Sequence, residues 1–369
     1  MRYLDEYRDP KLARLLALSI QETVTRPWTV MEICGGHTHA IMRFSLADAL
    51  PPLLKLVHGP GCPVCVTPAP YIDRAVELAM DPKVMVASFG DMLRVPGSGE
   101  DLLTARSRGG DVRVVDSPLG ALALAREHPD REVVFFAVGF ETTAPANAMA
   151  VLQAEREGVR NFSELASQVL VAPAIEFLLA QPDNEIQGFL APGHVCTVMG
   201  HQMFADLAAQ FKVPLVVAGF EPVDILAGLL ELVRQLEAGG SEVVNRYRRS
   251  VSREGNPAAR AAMDRVFEPV DREWRGVGVI PKSGLGFRKA YQEFDAEHRF
   301  GRVTEGNKTA GRCAAGEVLT GRISPPECVA FGRECTPLTP LGAPMVSSEG
   351  ACAAYFRYGR GKVREEGWS

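Results

Sequence analysis

Between residues 27 and 240 the chain alternates short apolar runs with stretches of helical periodicity, and this alternation limits the fold more than any other feature. Single strands separated by single helices imply parallel sheets joined by right-handed crossovers. Apolar runs at 29–33, 53–57, 84–88 and 112–115 are expected to be strands, with helices at 38–46, 71–80 and 118–127, the last capped by Ser117. A second series follows, with strands at 133–138, 168–172, 188–191 and 214–218 and helices at 145–157, 174–180, 198–211 and 222–237. Ahead of both, Asp9 and Pro10 read as the N-cap and first residue of a helix, with Leu12, Leu15, Leu16 and Ile20 on its apolar face. The expectation is an α/β chain with two parallel-sheet modules: a helical extension at 1–26, α/β domains at 27–125 and 126–245, and a C-terminal domain at 246–369. The boundary between the modules is set by the turn at 116–118 and the polar stretch at 127–132. A short echo, Gly139-Phe140-Glu141 and Gly219-Phe220-Glu221, leaves one strand in the second series and then another.

Past Gly240 turn residues accumulate, and from about Arg275 regular periodicity fades. A long stretch of this kind needs something else to hold it together. Four of the eight cysteines lie there, namely Cys313, Cys328, Cys335 and Cys352, which suggests an irregular or α+β domain built around metal. Their spacing lacks a CxxC knuckle and leaves an iron–sulfur cluster, zinc or no metal open.

Two motifs follow strands directly. In Glu32-Ile33-Cys34-Gly35-Gly36-His37-Thr38-His39 the glycines allow close backbone approach, while Cys34 and His37 offer a soft thiolate and an imidazole suited to iron or zinc. In His58-Gly59-Pro60-Gly61-Cys62-Pro63-Val64-Cys65 the CxxC pair can cycle between dithiol and disulfide or hold half a metal site. Pro68 and Pro70 delay the next helix, so no helix N-terminus is expected to lower these thiols' pKa. Other strand-end loops, Gly90-Asp91, Glu141-Thr142-Thr143, Pro192-Gly193-His194 and Glu221-Pro222-Val223-Asp224, are placed to line one cleft between the modules, although Asp91 and Asp224 taken alone read as solvated turns, and Cys196 reads as packing. Neither a phosphate-binding loop nor a dinucleotide fingerprint occurs in a strand–helix context.

A net charge of −5 with scattered Lys and Arg gives no footprint for nucleic acid. The apolar runs are too short to span a membrane, and the charged N-terminal residues do not read as a secretory signal, so the cytoplasm is the expected compartment. There the cysteines are expected to serve metal or redox chemistry rather than structural disulfides.

Taken in order, Cys34-Gly-Gly-His37-Thr-His39, Gly59-Pro-Gly-Cys62-Pro-Val-Cys65, Gly139-Phe-Glu-Thr-Thr-Ala-Pro145 and Ala191-Pro-Gly-His194 resemble successive motifs of the HypD family. So do Glu254-Gly-Asn-Pro257, Phe267-Glu-Pro-Val-Asp271, Trp274-Arg-Gly276 and Met345-Val-Ser-Ser-Glu-Gly350, and the likeness runs from about Val30 to Gly359. The resemblance implies two α/β domains and a third holding a [4Fe-4S] cluster, here through Cys313, Cys328, Cys335 and Cys352. It implies a scaffold for the iron–cyanide–carbonyl group of nickel–iron hydrogenases, working with the small chaperone HypC and the cyanide donor HypE and monomeric when free. Cys34, with His37, would anchor transient iron shared with the chaperone's N-terminal cysteine, and Cys62 and Cys65 would form a redox couple. The family pattern often has Cys-x-Cys-Gly where this chain has Cys313-Ala314-Ala315-Gly316, and Cys where it has Pro344; four cysteines remain, the number a four-iron cluster needs. A ferredoxin-dependent disulfide reductase using cluster and CxxC is the alternative function, and a zinc-stabilised binding module using Cys34, His37, Cys62 and Cys65 a third.

Overall fold

The structure is a computed structural model that describes residues 5–303 and 313–359, so parts of the expected C-terminal domain lie outside the described residues. In chain order the strands are β1 Trp28–Glu32, β2 Leu54–His58, β3 Val84–Ser88, β4 Val112–Val114, β5 Glu132–Gly139, β6 Phe162–Gln168, β7 Gly188–Pro192, β8 Leu215–Ala218, β9 Val243–Asn245, β10 Phe267–Trp274 and β11 Gly278–Phe287. They form a five-stranded parallel sheet, β2-β1-β7-β8-β9, a four-stranded parallel sheet, β4-β3-β5-β6, and an antiparallel hairpin, β10-β11. The α/β architecture with parallel sheets is thus as the sequence implies.

The division of the chain differs from the sequence reading. One compact unit gathers Met1–Cys62, Ile175–Gly255 and Arg312–Ser369, and the other Pro63–Ala174 and Asn256–Gly311. The boundary expected at 116–132 falls inside the four-stranded sheet, because β5 pairs with β3 across it. The five-stranded sheet, by contrast, takes β1 and β2 before the chain leaves and β7 to β9 after it returns. Of the region from 246 onward, residues up to Gly255 and from Arg312 group with the first unit and Asn256–Gly311 with the second.

In the first unit, helix Pro10–Thr23 starts where expected: Asp9 accepts from the Lys11 and Leu12 backbone N–H groups at 2.7 and 3.3 Å. Its buried face matches the expected one only in part, through Leu16 and Ile20. Ala17 and Ile20 are buried while Leu12 and Leu15 stay exposed, because the helix packs with Ala13 and Leu16 against a core of Trp28, Val30, Ile41, Leu226, Leu229 and Val233. Helix Pro222–Ala238 supplies much of that core and begins, as expected, with Pro222 in its first turn. The helix expected at 198–211 is broken at Gly200, whose φ of +79° suits glycine, into Gly193–Met199, a 3-10 turn and Ala205–Phe211.

In the second unit the strand expected at 168–172 lies instead at Phe162–Gln168, and the apolar run after it enters helix Val171–Leu179. Ser163, Glu164, Ser167 and Gln168 hide β6 from any apolar pattern, yet all four are buried. The hairpin β10-β11 lies where periodicity fades. A Cβ on Gly284 would come within 2.6 Å of the Arg272 side chain, so glycine there makes room for an arginine laid across the hairpin. Among the described residues no helix is long and apolar enough to cross a membrane.

Candidate functional site

The Cys34 turn is built at the end of β1, within the first unit. Cys34 is extended (φ −156°, ψ 120°) and caps helix Gly35–Arg43. Its neighbours leave no room for side chains: a Cβ on Gly61 would lie 2.2 Å from the Cys34 backbone nitrogen, and one on Gly35 would lie 2.6 Å from Glu349 Cβ. The Gly35 N–H donates to Gly61 O at 2.9 Å, tying the turn to the loop that leads into the CxxC pair. Glycine in both motifs is therefore a requirement of backbone-to-backbone contact.

Burial drives the Cys34 thiol pKa well above its ordinary value; hydrogen bonds from the His37 and Gly36 backbone N–H groups oppose the rise, and the charges of Glu32 and Glu349 add to it. A cation at the sulfur would reverse that balance, since metal binding displaces the thiol proton.

The imidazole beside the sulfur belongs to His194. Its Nδ1 and Nε2 lie 3.7 and 3.8 Å from Cys34 Sγ, and burial holds its pKa down to about 4, with His37 adding to the effect. His37 points elsewhere: its Nε2 donates to Gly219 O at 3.0 Å and contacts Ala218 O at 3.3 Å, and its Nδ1 is buried without a hydrogen-bond partner among the described residues. Phe220 holds both rings, with centroids 4.9 Å from His37 and 5.0 Å from His194. His39 turns to the C-terminal segment, with Nδ1 3.0 Å from Ser348 O and its ring edge-on to Tyr358.

Beneath the turn, Glu32 is fully buried and fully engaged. It accepts from the Cys34 N–H at 2.9 Å, from His58 Nδ1 at 2.6 Å and from the Thr38 hydroxyl. His58 Nε2 meets the Tyr355 hydroxyl at 3.1 Å.

Cys62 and Cys65 are buried and disulfide-bonded. Between them the chain starts a single helical turn, Pro63–Val66, and the longer helix begins only at Ala69, as the prolines imply. Asp224 is structural, paired with Arg249 at 2.7 and 2.5 Å. Cys196 is fully buried in helix Gly193–Met199.

The four C-terminal cysteines come together. Cys313, Cys328, Cys335 and Cys352 line one cavity with apolar walls that include Leu341 and Met345. Burial raises the Cys352 pKa, and the charges of Cys313, Cys335 and Cys328 raise it further, which places all four within electrostatic reach. The Leu341 N–H donates to Cys335 Sγ at 3.4 Å, and a Cβ on Gly342 would lie 2.4 Å from Cys313 Sγ. Among the described residues no three His, Cys, Asp or Glu side chains converge to ligate a single ion. Four thiols around a shared apolar space, with the Leu341 N–H aimed at one sulfur, are a donor set that could hold a metal ion or a polynuclear cluster.

The family model described as "HypD: Hydrogenase formation hypA family" matches residues 11–359. The chain belongs to the HypD family. It is 48% identical to the hydrogenase maturation factor HypD of Azotobacter vinelandii over 98% of this chain and 97% of that one. The corresponding factor of Escherichia coli K12 is 48% identical over 97% of this chain and 98% of its own. That of Rhodobacter capsulatus is 46% identical over 99% of this chain and all of its own.

Within this HypD-family chain, the structure adds His194, Glu32, Phe220 and Glu349 to the residues sequence reasoning had placed at the Cys34 turn. Each stood inside a motif at a strand end or near the C-terminus. The sequence places the 192–194 loop at a strand end able to line a shared cleft, but carries no sign that His194, 160 residues away, lies against the Cys34 sulfur.

Proposed function

We propose that the chain serves hydrogenase maturation as an assembly scaffold on which an iron ion acquires cyanide and carbonyl. The observation that carries this reading is the Cys34 sulfur, held on a Gly-Gly turn with backbone N–H groups and the His194 ring against it. One thiolate cannot satisfy an iron ion, so further ligands must come from the diatomic groups and from a second protein. The small chaperone HypC, sharing the iron through its N-terminal cysteine, and HypE, delivering cyanide, are the partners this role requires. His194 flanks the iron-holding thiolate, while His37 braces the turn from below through the Gly219 and Ala218 carbonyls.

Cys62 and Cys65 act as a redox couple in this reading: the disulfide takes up two electrons and two protons to become two thiols. Cys313, Cys328, Cys335 and Cys352 would hold a [4Fe-4S] cluster, which supplies one-electron transfer when bound. The Leu341 N–H would favour negative charge on Cys335, and the walls around the sulfurs are apolar.

The test is the infrared spectrum of the anaerobic complex with the chaperone, where iron-bound cyanide and carbonyl absorb apart from protein. Cys34→Ser should keep the fold and the iron and sulfide of the cysteine ring and lose those bands, because serine matches cysteine in size but is a poor ligand for soft iron. Bands of normal intensity in that variant would mean that iron is held elsewhere, with the Cys62–Cys65 pair the next candidate.

A further inference from the structure

A chain of hydrogen bonds, buried except at its last link, connects the Cys34 turn to the helix that carries one of the ring cysteines. From the Cys34 N–H it runs to Glu32 at 2.9 Å, from Glu32 to His58 Nδ1 at 2.6 Å, and from His58 Nε2 to the Tyr355 hydroxyl at 3.1 Å. Tyr355 sits in helix Ala351–Tyr358, three residues after Cys352, so the two lie about one helical turn apart on one rigid element. The rings of His58 and Tyr355 also meet edge to face at 5.3 Å. Glu32 and His58 are buried, and burial pushes the Tyr355 hydroxyl pKa up to about 12, so it keeps its proton for the hydrogen bond.

We propose that His58 and Tyr355 are positioning residues for Cys34, forming with Glu32 a strut through which filling of the four-cysteine cavity fixes the Cys34 backbone. The physical reason is the absence of slack. A buried carboxylate with three donors loses far more by breaking one bond than a solvated one would, so a shift of the Cys352 helix is passed along the chain of contacts rather than absorbed. A group bonded to Cys352 Sγ in the filled cavity would hold the Cys352 helix in place, seat Tyr355 on His58, and keep the Glu32–Cys34 bond closed. The site for iron assembly would then be ordered only in chains whose cysteine ring is already occupied. This inference rests on the reading that the ring binds a cluster.

Hydrogen exchange of the Cys34 backbone amide, followed by mass spectrometry on the full chain before and after anaerobic reconstitution with iron and sulfide, tests it. Iron and sulfide content is measured first and judges the cluster reading alone; if none is taken up, the same comparison is made with and without one equivalent of zinc. In the unaltered chain loading should slow the Cys34 amide by about tenfold, the value of one well-made buried hydrogen bond. Tyr355→Phe keeps the ring packing and removes only the hydroxyl. His58→Asn keeps a donor toward Glu32 and cannot reach Tyr355. In both, loading should change the rate less than about twofold, whatever the absolute rate. Tyr358→Phe, on the same helix but against His39, should retain the full response. The absence of a loading effect in the unaltered chain, or an undiminished effect in Tyr355→Phe, overturns the proposal. Should His58→Asn fail to fold, Tyr355→Phe and its Tyr358→Phe control decide the matter alone.

Discussion

Glu32 on β1 and Glu164 on β6 are both fully buried in parallel sheets, yet their surroundings are opposite. Glu32 receives the Cys34 N–H, the Thr38 hydroxyl and His58. Glu164 has no hydrogen-bond partner for either oxygen among the described residues, and burial alone raises its pKa to about 8. The difference teaches which polar interior is organised for chemistry: in the first unit a buried carboxylate is the hub of a network beneath a thiol, whereas in the second it is a neutral acid kept dry. Glu141, raised to about 7 by burial, still accepts the Val171 N–H at 2.9 Å and stands between these extremes.

The largest effect is expected at the hub. Glu32→Ala leaves the Cys34 N–H, the Thr38 hydroxyl and His58 without their acceptor, and denaturant unfolding should show a loss of about 3–5 kcal/mol. A loss below about 1 kcal/mol would remove the network from the account of stability. Next comes the cysteine ring, whose sulfurs share one cavity. Cys335→Ala or Cys328→Ala should abolish iron and sulfide uptake and lower the melting temperature of the reconstituted protein, since one missing ligand removes metal-linked folding energy. Unchanged iron and sulfide in either variant would exclude that cysteine as a ligand.

Glu164 should reveal itself through pH. Its folded pKa lies above its unfolded value, so the folded state binds the extra proton between about pH 4.5 and 8. Stability is therefore expected to fall as pH rises through that window, by several kcal/mol at most, with Glu141 adding a smaller contribution of the same sign. Glu164→Gln should flatten the profile and gain stability at pH 8, and an unchanged slope would mean that the carboxyl finds a partner in solution. The smallest effect belongs to the N-terminal helix: Leu15→Ser, at a position 61% exposed, should change unfolding free energy by no more than about 0.5 kcal/mol.

Leu15 also marks where reading from sequence ended. Period alone put Leu12, Leu15, Leu16 and Ile20 on the buried face, but the docked helix turns inward through Ala13, Leu16, Ala17 and Ile20 and leaves Leu12 and Leu15 exposed. The same limit hid β6, where Ser163, Glu164, Ser167 and Gln168 occupy buried positions that apolar patterning assigns to other residues. By contrast, the Asp9 and Ser117 caps, the Pro222 helix start and the delayed helix after Cys65 were all legible, because each is a local match between a side chain and a backbone end.

The sequence by itself determined the α/β class, the two cysteine-bearing motifs at strand ends and the four cysteines of the tail. The class and the motifs depend on residues within a few positions of one another, where periodicity and turn chemistry act. Only the tertiary structure decided that β1 pairs with β7 after the chain has left the first unit and returned, and that His194 rather than His37 lies against Cys34 Sγ. It likewise decided that the tail's cysteines surround one cavity and that Tyr355 closes on His58. Such choices follow from burial and hydrogen bonding between segments far apart in the chain, and no local pattern of residues carries that information.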